Sequence, residues 1–458
     1  MKRLTAFFLC LLLLGAGCGA NPPPIQLPEP QPQPEVQQPE GQEGRQYIPL
    51  QWGQHVDPVF LEPHWTVDTD SFTFLKELTD PKYQGRATGS AGNRAAADWI
   101  ESLYVQWGIQ PLEGMGGYRH SYPDQVFEVL PGYAAIVAAD GTETGLEMGV
   151  DWVFEPSFTQ VDLTLPLSAD LTDCEAGKAF LDAELAEQDY PTKYIQISAG
   201  PVDEGVGYDN PKYSASRITV TPEVYAALTA PGAKLHLQLP AAASDGTADN
   251  VVGYLPGTGS TRAVLISAHF DGSGQCGTQL LPGAYDNGSG TAAMLQTASW
   301  LSGVENLPCD VIFAAFNGEE NGKDGSKYFS SWLKPAYEQV TVINIDCVGW
   351  AGAPMHIYAE EDQTALANEL AGGLELQYKP QYYNSDQANF KAFNMAAVVI
   401  TQEICMEDDQ VIQTMHSTQD VLDNLDTDAI DALAKDLCAW VIERGGNTIT
   451  GTAYRVIW

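Results

Sequence analysis

The sequence predicts an α/β fold: a mixed, largely parallel central sheet covered by helices on both faces, with a β-rich insertion. Three observations lead there. From Asn250 onward, apolar strand-like runs alternate with stretches of helical spacing. These runs are apolar along their whole length, as strands buried on both faces are. Between about Asp124 and Pro240 the texture changes to short β-like runs separated by acidic and Gly/Pro loops. The chain has 458 residues, enough for two or three domains of roughly 100–200 residues each.

In chain order, residues 1–17 read as an export signal. Lys2 and Arg3 precede an apolar run from Leu4 to Leu14, which is shorter than the ~20 residues of a spanning helix. Leu14-Gly15-Ala16-Gly17-Cys18 resembles a bacterial lipobox, with Leu one position early and Gly15 in its usual place. This predicts a lipid on Cys18 and attachment to the outer face of a membrane; the alternative is plain secretion with cleavage near Ala20. Residues 18–46 read as a linker. Asn21 to Gln46 holds eight prolines with Gln and Glu between them, a composition that buries too little apolar surface to fold and stays extended.

Residues 47–123 read as the amino-terminal part of the main domain. Phe74, Leu75, Leu78, Ala95, Trp99, Ile100 and Leu103 recur at three- and four-residue spacing from Ser71 to Ile109, around a Gly-rich turn at Tyr83–Ser90. Residues 124–240 form the insertion, with short strands at Tyr133–Val137, Tyr194–Ile197 and Lys234–Leu239 and a helix at Glu175–Glu187. Residues 241–458 carry the alternating pattern. Strands are expected at Ala263–Ala268, Val311–Phe316, Val340–Ile345 and Ala396–Thr401. Helices are expected at Gly290–Leu301, Ser326–Leu333, Gln363–Leu370, Gln387–Phe393 and Ala429–Glu443.

Lys and Arg total 22 against 60 Asp and Glu, a formal net charge of −38. A surface that acidic repels phosphate backbones and argues against a nucleic-acid partner. It argues equally against docking on anionic lipid through a basic patch. Beyond Cys10 and Cys18, six cysteines are spread through the chain with no CxxC spacing, and Cys309, Cys347 and Cys438 lie in apolar context as buried thiols. Export would allow some of the six to pair, without indicating which.

Polar residues gather where strands end, which is where open α/β sheets build sites. Val264–Ala268 runs into His269-Phe270-Asp271. Val311–Phe316 runs into Asn317-Gly318-Glu319-Glu320. Val342–Ile345 ends in Asp346. Gly283–Gly290 is a tight turn holding Asp286-Asn287, and Met415-His416-Ser417-Thr418-Gln419-Asp420 precedes the last helix. Each alone has an ordinary structural explanation. Together they would crowd buried carboxylates that repel one another unless cations neutralise them, and two imidazoles with three carboxylates suit two zinc ions.

These motifs, His269-x-Asp271, Gly283-Ala284-x-Asp286-Asn287-x-Ser289-Gly290, Glu319-Glu320-x-Gly322-x-x-Gly325-Ser326, Asn344-x-Asp346 and His416-x-x-x-Asp420, resemble family twenty-eight of the metallopeptidases, the secreted bacterial di-zinc aminopeptidases. Gly85-Arg86-x-x-Gly89-Ser90-x-Gly92-Asn93 is similar to the family's amino-terminal segment. The resemblance covers about Phe72–Ile109 and Asn250–Glu443, and implies a zinc-exopeptidase-like fold. It implies that His269 and Asp346 hold one zinc ion, that Glu320 and His416 hold the other, and that Asp286 bridges them. Glu319 would be the general base acting on a metal-bound water.

Asp271 would accept a hydrogen bond from the outer nitrogen of His269. Asp420 would do the same for His416, or cap the following helix. The family often has Tyr before its last ligand to help the oxyanion; Met415 stands there. Asn384-Ser385-Asp386 resembles a loop lining the cleft, with Ser385 expected as a helix cap and Asp386 as a holder of the substrate amine. The insertion sits where relatives carry a protease-associated domain. The function implied is removal of amino-terminal residues from peptides. The rivals are a zinc carboxypeptidase, dipeptidase or deacylase, which would need a guanidinium for a substrate carboxylate (Arg86 or Arg217), and a non-catalytic surface binding relative, which would have lost ligands or base. A glutaminyl-cyclase relative would need only one zinc.

Overall fold

In the computed structural model the described residues are 59–60 and 70–446, apart from 129, 155–159, 168–194, 203–216, 259–260, 277–278 and 334–335. The expected signal, the linker, Cys174 and the Glu175–Glu187 helix lie outside them.

An eight-stranded mixed sheet organises the main body. Its strands are β1 (Arg119–Phe127), β2 (Ala243–Leu255), β3 (Arg262–His269), β4 (Asp310–Phe316), β5 (Gln339–Ile345), β6 (Met355–Tyr358), β7 (Gln377–Lys379) and β8 (Ala396–Gln402). In space they run β7-β6-β8-β5-β3-β4-β2-β1. The four central strands β4, β3, β5 and β8 are mutually parallel. Antiparallel β2 and β1 extend one side, and β6, antiparallel to β8, extends the other. The apolar runs predicted as strands are these central four, each a residue or two longer than expected.

Helices cover both faces. The helices are α1 (Ser71–Leu78), α2 (Ala91–Gln106), α3 (Ser289–Leu301), α4 (Asp324–Leu333), α5 (Thr364–Leu374), α6 (Gln387–Lys391) and α7 (Thr427–Arg444). The alternation of β3 divides the core. Val264, Ile266 and Ala268 pack with α1, α2, α3, α5 and α7. Leu265 packs with Phe329 and Leu333 of α4 and Phe390 of α6 on the opposite face. Continuous apolar strands are what such two-sided burial requires.

Between β1 and β2 the chain builds two small sheets. Tyr133–Val137, Glu143–Leu146, Val161–Leu165 and Lys234–Leu239 form a four-stranded antiparallel sheet; Trp152–Phe154, Gln196–Ala199 and Arg217–Val220 form a three-stranded one. They share a core of their own, including Trp152, Ile218, Leu235 and Leu237. The two ends of this segment meet: Phe127 pairs with Ala243, and the ladder continues to Arg119 and Val251. Asp124–Phe127, inside the span expected for the insertion, therefore belong to the large sheet. Sequence reading gives no strand there because Pro123 sits among polar residues, a composition that a sheet edge tolerates. No helix among the described residues is long and apolar enough to cross a membrane.

Candidate metal centre

The parallel register aligns the carboxyl ends of the central strands. His269 pairs with Phe316, and Ser267 with Asn344, so His269, the Asn317–Glu320 turn and Asp346 emerge together. The turn before α3 brings Asp286, whose peptide bond to Asn287 is cis. The loop before α7 brings His416, held in a left-handed conformation at φ 59°, a strain that persists where surrounding structure demands it.

Two groups of ligand atoms result, each with its atoms within 4.8 Å of one another: His269, Asp286 and Asp346, and Asp286, Glu320 and His416. Asp286 belongs to both. Its Oδ1 lies 3.3 Å from His269 Nε2, and its Oδ2 lies 3.0 Å from His416 Nε2. Asp346 Oδ1 is 3.6 Å from His269 Nε2, and Glu320 Oε2 is 3.1 Å from His416 Nε2. Buried oxygens of Asp346 (Oδ1) and Glu320 (Oε1) have no hydrogen-bond partner. Burial of such atoms is unfavourable until a donor or cation meets them. The donor set, imidazole nitrogens and carboxylate oxygens, suits zinc.

The electrostatics show the same demand. Burial raises the Glu319 carboxyl well above its ordinary value; His269 opposes this, while Asp386, Asp346 and Glu320 add to it. Burial likewise raises Glu320. Asp286 is desolvated too, yet hydrogen bonds with His269 and His416 hold it well below the carboxylate range.

Asp271 does more than the single contact expected of it. Its Oδ1 lies 3.6 Å from His269 Nδ1. It also accepts from the backbone N–H of Glu319 (3.3 Å) and Glu320 (3.2 Å) and from Thr88 Oγ1 (3.1 Å). One buried carboxylate thus holds the turn carrying Glu319 and Glu320 and stands beside His269, whose Nδ1 has no hydrogen-bond partner. Asp420 corrects the sequence reading. It neither orients His416 nor caps a helix; its two oxygens accept from the backbone N–H of Tyr285 (2.6 Å) and Asp286 (3.0 Å). The Asp286 turn leaves these donors inward-facing, and Asp420, fully buried, is their acceptor. Burial pushes its carboxyl up to about 7 against those hydrogen bonds.

Ser385 is likewise no helix cap: its Oγ accepts from Asn344 Nδ2 at 2.9 Å, because that buried amide needs an acceptor. Asp386 lies beside Glu319. It is fully buried, both its oxygens lack a hydrogen-bond partner, and burial pushes it up to about 7.

Arg86 is the residue that sequence reading placed least well. It is completely buried and donates to the carbonyl oxygens of Phe270 (2.7 Å), Leu78 (2.7 Å), Pro282 (2.8 Å) and Gly283 (2.8 Å). It ties α1 to the two loops that carry His269 and Asp286, and its charge opposes those of Asp420, Asp271, Glu320 and Asp286. The one signal available was a cation inside a Gly-rich turn. Asn287, within a predicted motif, locks two further pieces: its Nδ2 donates to Ile345 O, and its Oδ1 accepts from Gly290 N and Cys347 N. An apolar cluster of Tyr285, Cys347, Cys405 and Val411, with Tyr383 and Met415 against it, adjoins the ligands. Tyr285, Cys347 and Met415 are chain neighbours of Asp286, Asp346 and His416.

Fold and site together define an α/β domain built around a metal-ligand cluster. Residues 250–441 match the model of peptidase family M28. Over 186 residues the chain is 27% identical to a probable leucine aminopeptidase of Arthroderma otae, covering 38% of this chain and 51% of that protein. Over 90 residues it is 37% identical to aminopeptidase YwaD of Bacillus subtilis, covering 19% of this chain and 18% of that one. The matches thus span about half of the first relative and under a fifth of the second. Among solved structures, BSAP, a zinc aminopeptidase from Bacillus subtilis, aligns over 83% of this chain and 97% of its own, with TM-score 0.57 and 17% identity. A peptidase M28 precursor from Shewanella amazonensis aligns over 84% and 94%, with TM-score 0.56 and 16% identity. These two likenesses are of fold.

Proposed function

We propose that the chain is an exported zinc-dependent aminopeptidase that removes residues from the amino terminus of peptides. The observation that carries the reading is Asp286, with one oxygen toward His269 and the other toward His416. That is the arrangement a carboxylate shared by two cations needs. His269 and Asp346 would hold one zinc ion, and Glu320 and His416 the other. Zinc there would supply a Lewis acid that polarises the scissile carbonyl and makes water a competent nucleophile near neutral pH.

The chain's own residues do the rest. Glu319 takes the proton of the attacking water on its carboxylate and hands it to the leaving amine. Asp271 holds the Glu319–Glu320 turn in place. Asp386, unpartnered beside Glu319, accepts the substrate's amino group, which favours a free amino terminus as the recognised end. The carboxypeptidase alternative needs a guanidinium free for a substrate carboxylate; Arg86 is engaged with four carbonyl oxygens, and the side chain of Arg217 lies outside the described ones. The insertion would be a protease-associated lid that shapes the cleft. The amino-terminal segment supports export with a lipid on Cys18, placing the enzyme on the outer face of a membrane, with peptides as its partners.

A panel of free and amino-blocked peptides, assayed alongside metal analysis, tests this. Free peptides should be shortened from the amino terminus with about two zinc ions bound per chain. Cleavage of blocked peptides would point instead to a carboxypeptidase or deacylase, and metal binding without any turnover to a binding relative.

A further inference from the structure

The apolar cluster beside the ligands holds two thiols that the reaction does not use. Cys347 follows Asp346 at the end of β5, and Cys405 lies in the short Ile404–Glu407 helix after β8. Both are free and buried. Both belong to one buried apolar cluster, with Tyr285 and Val411. Thr401 Oγ1 links the same two residues, lying 3.5 Å from Cys347 O and 3.7 Å from Cys405 Sγ. Tyr383 Oη is 3.7 Å from Cys405 Sγ, and Met415 Sδ is 4.0 Å from Cys347 Sγ. Cys405 Sγ donates to Gln402 O at 2.9 Å, and Cys438, outside this cluster, to Thr297 O at 3.7 Å. We propose that Cys347 and Cys405 form an oxidation site on the wall of the metal centre, where peroxide converts the two thiols into one disulfide.

Their burial selects the oxidant. Cys347 is 2% exposed and Cys405 6%, so a molecule as small as hydrogen peroxide enters where a bulky disulfide does not. Cys405, the more exposed, reacts first. Its sulfur displaces hydroxide from the peroxide O–O bond and becomes a sulfenic acid, with one water formed. The Cys347 sulfur then attacks the Cys405 sulfur; the S–S bond forms, the S–O bond breaks and a second water leaves. The two thiols lose two electrons and two protons, and the peroxide is reduced to two waters. The bond would tie the residue after Asp346 to the Ile404–Glu407 helix. A change in turnover rests on the peptidase reading above; the bond itself does not.

The test is peptide mapping of the full chain after mild peroxide treatment, with and without dithiothreitol. The expected product is a reducible peptide joining Cys347 to Cys405, about 2 Da lighter than its two reduced components. It should be absent from both C405S and C347S. Recovery of both cysteines as free thiols, or of sulfinic acid on Cys405 without a link to Cys347, would overturn the proposal. So would a link from either to another cysteine. Turnover measured on the same samples should fall on oxidation and return on reduction. A mapped link with no peptidase activity in either state would uphold the oxidation site and sink the peptidase reading alone.

Discussion

Replacing Arg86 with leucine leaves most of the buried stem volume filled and removes the guanidinium. Four carbonyl oxygens, those of Leu78, Phe270, Pro282 and Gly283, then lose donors at 2.7–2.8 Å inside the fold. An orphaned buried acceptor costs roughly 1–3 kcal/mol, and removing one member of a buried charged set roughly 3–5 kcal/mol. Because the four share one cation they do not add, so about 4–5 kcal/mol is the expected loss. Thermal unfolding of a unit spanning Pro49–Trp458 carries an entropy of ~2 cal/mol/K per residue, so this loss lowers Tm by about 5 °C. The fall should be larger in chelator, where Asp420, Asp271, Glu320 and Asp286 lose the cations that would share Arg86's work. R86K keeps the charge but has one ammonium for four carbonyls, and should fall between. Thermal unfolding followed by near-ultraviolet circular dichroism, with and without EDTA, reads all of this. A Tm within about 1 °C of wild type would refute the bracing role. An unchanged Tm with a raised KM for peptides bearing a free carboxylate would show that Arg86 faces substrate.

Glu319→Gln should leave metal content as in wild type while lowering kcat by ~10²–10⁴, the usual worth of a general base; retained turnover would remove Glu319 from that role. Asp286→Ala should weaken both metal sites together, read by titration with zinc and elemental analysis, and loss of a single ion would contradict sharing. Asp420→Ala should loosen the Asp286 turn and weaken metal binding by ~10–100-fold, the scale for residues that orient ligands; unchanged affinity would make its two backbone hydrogen bonds irrelevant to the site. Asp124, on β1, has a buried Oδ2 with no partner, and burial pushes its carboxyl up to about 7. The native state therefore keeps a proton that the unfolded chain has already released, so stability falls as pH rises from about 4 to about 7. Asp124→Asn should flatten that fall in urea unfolding measured across the window, and an identical pH profile would show that other groups set it.

The candidate ligands were legible because each sits on a feature with its own pattern. His269 and Asp346 end apolar runs, Glu320 follows one just after the candidate base Glu319, Asp286 lies in a turn that opens a helix, and His416 lies in the loop before the last helix. A strand buried on both faces has to be apolar throughout, so the first polar residue after it marks the carboxyl edge of the sheet. What was not legible depends on which backbone atoms lie opposite one another across long stretches of chain. Asp420 finds Tyr285 and Asp286 across more than 130 residues, and nothing near Asp420 in sequence distinguishes an acceptor for those two N–H groups from one for His416. Arg86 meets Pro282 and Gly283 across nearly 200 residues; its role exists only once the Gly-rich turn and the Asp286 turn are packed together. The paired thiols follow the same logic. Cys347 and Cys405 are unremarkable in their own segments, and become neighbours because β5 and β8 are adjacent parallel strands in register, Ile345 beside Ile400. Side-chain chemistry written into one segment could be read from one segment. Chemistry that arises from the register of two strands, or from the closure of two turns on one cation, could not, and the residues that hold the metal ligands in place are mostly of that second kind.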